Sequence, residues 1–200
     1  MEGPWGTLKM KNLIVLTGLI LGAFQANANT IQFDLVGRSG AGMRFDNENP
    51  SSASSATGGK VGAGISLNDV TGILTINVGW GSGNGFTNLT GIVTAGHIHQ
   101  GANALFTTNG GIIFSLDGAT PGFNSSATNG GWTNTTATLT AAQQTALLSG
   151  FLYLNAHTAA NGGGELRGNL VQVPEPASML LLGTGLIGLA ARRWSKRRAN

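Results

Sequence analysis

Short runs of alternating apolar and polar residues recur along most of the chain, and each run predicts a half-buried β-strand. The first run covers residues 30–36. Seven more runs are 61–67, 73–78, 91–98, 112–116, 132–139, 151–157 and 165–171. Asn-Gly pairs separate several of these runs, and both residue types tolerate the positive φ of tight turns. The pattern therefore predicts an all-β fold, an antiparallel β-sandwich or barrel.

Two stretches depart from this alternation. Residues 37–59 contain Pro50 and a long Ser, Ala and Gly run, which predicts a flexible loop. Further on, Thr140 and Gln143 have the spacing of a capping box, and Gly150 follows where a helix can end. We therefore expect one short helix near residues 140–149.

The N-terminal end has the pattern of an export signal. Lys9 and Lys11 precede an apolar run, and Ala26-Asn27-Ala28 supplies a small-x-small cleavage pattern. This order predicts a secretory signal peptide over residues 1–28, handled by the Sec export machinery, with Met10 as an alternative start.

The C-terminal end has three parts in a fixed order. Pro174, Glu175 and Pro176 come first, an apolar run over residues 179–191 follows, and a basic cluster begins with Arg192-Arg193. The prolines end any preceding strand, the apolar run enters a bilayer, and the basic residues keep the end on the cytoplasmic side. We therefore interpret residues 173–200 as a targeting segment with a membrane-entering helix.

This order resembles the PEP-CTERM sorting signal of Gram-negative bacteria. The resemblance implies recognition by exosortase, a membrane-embedded cysteine transpeptidase. It also implies an inner-membrane intermediate, followed by release to the cell surface or an extracellular exopolysaccharide matrix. The alternative is a permanent C-terminal anchor. However, residues 177–191 as a helix would cover about 22 Å, less than the roughly 30 Å of a hydrocarbon core.

The basic charge of the chain resides in its two ends. The whole chain is formally +3, but seven of its eleven Lys and Arg residues lie in the two targeting segments. Residues 29–173 carry four basic and six acidic side chains, so the central body is mildly acidic. The high pI is therefore no argument for a nucleic-acid partner, and we expect none. The chain also has no cysteine, so packing, strand pairing or a metal must hold the body together.

All three histidines fall within two of the predicted strands. His97 and His99 are two residues apart and share one face of a strand, which turns Ile98 toward the core. His157 ends another strand, and a symmetrical loop over residues 158–164 would place it opposite Glu165.

The same hairpin predicts two further pairs. Asn155 would face Arg167, and Tyr153 would face Asn169, so that a polar cluster forms on one sheet face. These residues are expected to be structural.

Two interpretations of the histidines remain open. In the first, His97, His99, His157 and Glu165 bind zinc or copper, as a three-histidine site with an open position or as a His/Glu zinc site. In the second there is no cofactor: the histidines hydrogen-bond across strand ends, and Arg167 pairs with Glu165 or a backbone carbonyl.

The sequence identifies no catalytic residue, since it contains no Gly-x-Ser-x-Gly motif or other recognisable nucleophile arrangement. Trp80 and Trp132 lie beside Gly-rich turns, where aromatic rings can stack on sugars. Carbohydrate or exopolysaccharide binding is therefore a further alternative.

Residues 96–102 and 150–158, the predicted helix and residues 164–170 resemble the CHRD domain, named for its repeats in chordin. The resemblance implies an immunoglobulin-like β-barrel over residues 29–172. The His-x-His pair also resembles Cu/Zn superoxide dismutase, a β-sandwich, although three histidines are too few for its two-metal centre. We therefore expect an immunoglobulin-like or superoxide-dismutase-like sandwich that acts as a non-catalytic binding or structural module.

Overall fold

Strands make up most of the domain in the computed structural model, which describes residues 30–45, 54–102, 109–174 and 183–188. The strands within these ranges are β1 (Thr30–Gly37), β2 (Gly40–Ala41), β3 (Met43–Arg44), β4 (Thr57–Asn68), β5 (Ile73–Trp80), β6 (Val93–Gln100), β7 (Gly111–Ser115), β8 (Phe123–Asn124), β9 (Gly130–Thr138), β10 (Leu152–Thr158) and β11 (Asn161–Gln172). A 3-10 turn, Ser82–Asn84, and one helix, α1 (Ala141–Leu148), interrupt them.

Antiparallel pairing joins nine of these strands in the order β7-β6-β10-β11-β1-β4-β5-β9-β8. Strand β2 pairs with β1, and β3 pairs with both β11 and β4. The sheet folds over on itself, because buried side chains from β6, β10 and β11 share one core with those from β4, β5 and β9. The predicted all-β antiparallel sandwich is confirmed.

Two tryptophans fill the centre of this core. Trp80 on β5 and Trp132 on β9 meet edge to face, with ring centroids 4.9 Å apart, and neither is exposed. The indole of Trp132 donates a 2.7 Å hydrogen bond to the carbonyl of Leu116, beyond β7. Its ring also lies directly against Gly96 of β6, where a Cβ would be 2.5 Å from Trp132 Cζ2. Trp132 therefore ties β9 to the histidine-bearing strand.

The predicted helix and its cap are confirmed. The Gln143 amide donates to Thr140 Oγ1, and Gln143 Oε1 accepts from the Thr140 amide at 2.9 Å. This reciprocal pair satisfies two backbone groups at the helix start. Leu147 then anchors the helix in the core.

The prediction of a loop over residues 37–59 is wrong in its described parts. Strands β2 and β3 lie within this stretch, and β4 begins at Thr57. Met43 is fully buried, and Gly59 packs so closely on Phe86 that a Cβ would be 2.9 Å from the ring. The small residues here allow close packing, and two-residue strands are too short to show alternation. Strand β8 escaped prediction for the same reason.

Several sequence predictions lie outside the described residues. These are the signal peptide over 1–28 and the sorting residues Glu175, Pro176, Arg192 and Arg193; Pro174 is described. Within the apolar run, residues 183–188 are helical. In the four described ranges, no helix is both long enough and apolar enough to cross a membrane. The domain boundaries at 29 and 172 stay a prediction.

Replacement of Gly96 by alanine should destabilise the domain. The added methyl group meets a rigid, buried indole, and overpacking of this kind costs about 1–3 kcal/mol. Gly91→Ala is the matched control, because a Cβ there meets nothing within 4 Å. Urea unfolding of both variants measures the effect. Equal free energies of unfolding for the two variants would contradict the described packing of Trp132 against β6.

Candidate functional site

Strand β10 lies between β6 and β11 and sets the geometry of the candidate site. Its register against β6 places Tyr153 opposite His99 and Asn155 opposite His97. On this pairing, His97 and His99 share one face of β6, while Ile98 is fully buried in the core. The predicted orientation of the two histidines is therefore confirmed.

The predicted pairing of β10 with β11 is confirmed only in part. Asn155 is opposite Arg167 and Tyr153 is opposite Asn169, as predicted. All four side chains are buried, so the polar face of this hairpin lies inside the molecule.

The predicted pairing of His157 with Glu165 is wrong. Thr158 pairs with Asn161 across a two-residue turn, so the extra residues before Glu165 form an irregularity within β11 and not a symmetrical loop. Gly164 has φ +109°, and a Cβ there would be 2.2 Å from Asn155 Oδ1. Glycine makes this bulge possible, and the bulge moves Glu165 out of register with His157.

Three imidazoles converge on one side of the β6–β10 pair. His97 Nδ1 lies 3.1 Å from His157 Nε2, and one potential ligand atom from each of His97, His99 and His157 lies within 4.8 Å of the others. His99 is buried, whereas His97 and His157 are half-buried. Of the four predicted ligands, the structure thus brings together the three histidines and leaves Glu165 outside the group.

Backbone carbonyls determine the tautomers of two of these rings. His99 Nδ1 lies 2.9 Å from the Gly110 carbonyl oxygen, and His157 Nδ1 lies 2.9 Å from that of Gly162. A carbonyl can only accept, so each Nδ1 donates its proton. In the neutral ring Nε2 then carries the lone pair. Nε2 is therefore the atom that binds a metal or accepts a hydrogen bond.

Asp117 is a further member of the site that sequence reasoning did not connect with the histidines. Its Oδ2 lies 3.9 Å from His97 Nε2. Residue 117 follows β7, and the Leu116 amide donates to the Gly96 carbonyl, which holds this segment beside β6. Only the pairing of β7 with β6 creates this proximity, and the sequence contains no direct signal for it.

A stack of planar groups packs against one face of the His99 ring. The Tyr153 ring is parallel to the His99 imidazole at 4.8 Å, and the Arg167 guanidinium lies 3.6 Å from the Tyr153 ring centroid. Arg167 Nη1 also donates to Asn109 Oδ1, and the Gly110 amide donates to the Tyr153 hydroxyl. The stack therefore fixes both His99 and the segment whose carbonyl orients it.

Glu165 stabilises the fold from a buried position. It is fully buried, and its carboxylate accepts hydrogen bonds from Ser54 Oγ, the Thr90 amide, Thr90 Oγ1 and Thr158 Oγ1, at 2.7–2.8 Å. Burial raises the pKa of Glu165, but these four donors together outweigh it and leave the pKa below its usual 4.5. Of the two partners expected for Arg167, Glu165 or a backbone carbonyl, Glu165 is not one, because hydroxyl and amide donors occupy both of its oxygens.

The interpretation of Trp80 and Trp132 as sugar-stacking residues is also wrong. Both rings are fully buried, and both indole N–H groups bond to backbone carbonyls, those of Ser126 and Leu116. Neither ring face is accessible to a ligand.

Comparison with known families matches two adjoining segments. A family model described as the CHRD domain matches residues 40–170, and one described as the PEP-CTERM protein-sorting motif matches residues 172–198. No curated protein and no solved structure matches the chain. The resemblances to the CHRD domain and to the PEP-CTERM sorting signal are confirmed.

Replacement of Glu165 by glutamine should destabilise the domain by about 2–4 kcal/mol at neutral pH, because an amide group would face donors that need an acceptor. The pKa of Glu165 is lower in the folded protein than in the unfolded chain. Its contribution to stability is therefore present above about pH 4.5 and is lost as the pH falls through the folded-state pKa.

Chemical unfolding at several pH values tests this prediction. The difference between the wild type and Glu165→Gln should shrink as the pH falls below 4.5. Asp69→Asn, at an exposed turn, is the control and should leave stability at neutral pH unchanged. A difference that stays constant down to strongly acidic pH would show that the ionised carboxylate is not what stabilises the fold.

Proposed function

The chain belongs to the CHRD domain family. From this membership and the geometry of the site, we propose that residues 29–172 form a non-catalytic binding module displayed outside the cell. The PEP-CTERM motif makes it an exosortase-sorted surface or extracellular protein of a Gram-negative bacterium.

The exit of the chain from the domain supports sorting by exosortase. Strand β11 pairs with β1 through Gln172, and the Val173 amide still donates to the Gln32 carbonyl at 2.9 Å. Val171, Gln172 and Pro174 are nevertheless exposed, so the chain reaches the surface just before the sorting motif. A transpeptidase acting near the motif therefore has access to the chain without removing any core residue.

The placement of Glu165 supports a non-catalytic role. This side chain is fully buried, and each of its carboxylate oxygens accepts two hydrogen bonds. A general acid or base must reach its substrate within hydrogen-bond distance. Glu165 instead joins the start of β4, the segment before β6 and the β10–β11 hairpin.

A second candidate function is binding of exopolysaccharide. An open cleft of about 400 Å³ is lined by Asp34, Arg44, Lys60 and the ring of Phe86, among others. Charged and hydroxyl-binding groups beside an aromatic ring are typical of carbohydrate recognition. Lys60 and Asp34 contact each other at this cleft.

Processing should depend on the sorting tripeptide. Replacement of Pro174, Glu175 and Pro176 by alanine removes the motif while leaving the domain intact, so the full-length chain should accumulate in the inner membrane. Cell fractionation and mass spectrometry of the C-terminus measure this, with Gln172→Ala as the control. Normal maturation of the triple variant would contradict exosortase sorting.

The exopolysaccharide candidate has its own test. Lys60→Gln should weaken retention of the protein on the matrix polysaccharide of the producing cells in affinity electrophoresis. Arg38→Gln removes the same charge at an exposed position outside the cleft lining and should not. Equal retention of both variants, or no retention of the wild type, would remove this candidate.

A further inference from the structure

We propose that His97, His99 and His157 bind one divalent transition-metal ion of the Zn(II) or Cu(II) class, and that Asp117 orients His97 from outside the coordination sphere. This site is independent of sorting. It is carried by the spacing of the three rings, the tautomers fixed by their neighbours and the rigidity of the strands that hold them.

The spacing suits a tetrahedral ion. Nitrogen ligands lie about 2.0–2.1 Å from zinc, so two of them in a tetrahedral site are roughly 3.3–3.4 Å apart. His97 Nδ1 and His157 Nε2 are 3.1 Å apart, close to this value. All three potential ligand atoms lie within 4.8 Å of one another, so a small inward shift of the rings completes a three-histidine set with one position left for water or another ligand.

The hydrogen bonds behind the rings match those of bound histidines. A histidine that ligates a metal through one nitrogen donates the other N–H to a carbonyl or carboxylate, which fixes the tautomer and raises ligand basicity. His99 does so to the Gly110 carbonyl and His157 to the Gly162 carbonyl. Nε2 is therefore the ligating atom of both rings.

His97 changes its proton between the two states. Without metal, its Nδ1 must donate to His157 Nε2, because the latter carries a lone pair. An ion placed between these atoms needs a lone pair from both, so the proton of His97 moves to Nε2. Asp117 Oδ2 lies 3.9 Å from that nitrogen, and its negative charge favours a proton there. On the side away from the metal, His99 and His157 thus have a carbonyl acceptor and His97 has the Asp117 carboxylate 3.9 Å away.

The chemistry of the donors selects the metal class. Imidazole suits zinc, copper and nickel, whereas calcium and magnesium require oxygen ligands. Glu165 is not a ligand of this site, because Ser54, Thr90 and Thr158 donate hydrogen bonds to its carboxylate oxygens. This observation favours the three-histidine arrangement over the His/Glu arrangement.

Metal titration of the full-length chain in detergent, purified through a tag without histidine, tests the proposal. Calorimetry with Zn(II) and Cu(II) should give about one ion per chain. His97→Ala and His157→Gln should each abolish saturable binding, and Gln100→Ala, an exposed position on the same strand, should not change it. Asp117→Asn should weaken affinity about 10–100-fold, and Asp69→Asn should leave it unchanged.

Zinc should also raise the melting temperature of the wild type and not that of His157→Gln, which separates a lost site from a lost fold. Absence of saturable binding by the wild type, or equal binding by the wild type and both histidine variants, would overturn the site. Unchanged affinity in Asp117→Asn would overturn the role of that carboxylate.

Discussion

The register of β10 against its two neighbours is the constraint on which the candidate site depends. Pairing with β6 places Asn155 opposite His97, and pairing with β11 places Asn155 opposite Arg167. A slip of one residue would turn every side chain of β10 to the other face, moving His157 away from the other histidines and Leu154 out of the core. The same alternation therefore secures the hydrophobic core and assembles the imidazoles.

Buried polar groups on both sides of the site make this register costly to change. The Glu165 carboxylate accepts hydrogen bonds from Thr90, which precedes β6, and from Thr158, which is the last residue of β10. The Arg167 guanidinium covers the Tyr153 ring, which in turn supports His99. Movement of any of these strands would leave a buried charge without its hydrogen bonds, so the network specifies one arrangement more strictly than apolar packing alone. The three histidines consequently start close to the geometry that a metal ion requires.

Sequence periodicity predicted the strands of five or more residues and the helix, but not the two-residue strands β2, β3 and β8. It also predicted the shared face of His97 and His99, because these features follow from local spacing. It failed at residues 158–164, where the glycines form a bulge inside β11 and shift Glu165 away from His157. It also failed to connect Asp117 with the histidines, since that proximity arises from pairing between β7 and β6. Long-range pairing and bulges depend on the whole sheet, so local patterns do not report them.

Anomalous diffraction at the zinc absorption edge, from crystals of the protein prepared with zinc, tests the three-histidine site. We expect one peak enclosed by His97, His99 and His157, about 2.0–2.1 Å from a nitrogen of each ring, with Asp117 against the far nitrogen of His97. Imidazoles that bond only to each other and to the carbonyls, with no peak among them, would contradict it. A peak at the Glu165 carboxylate would do so as well.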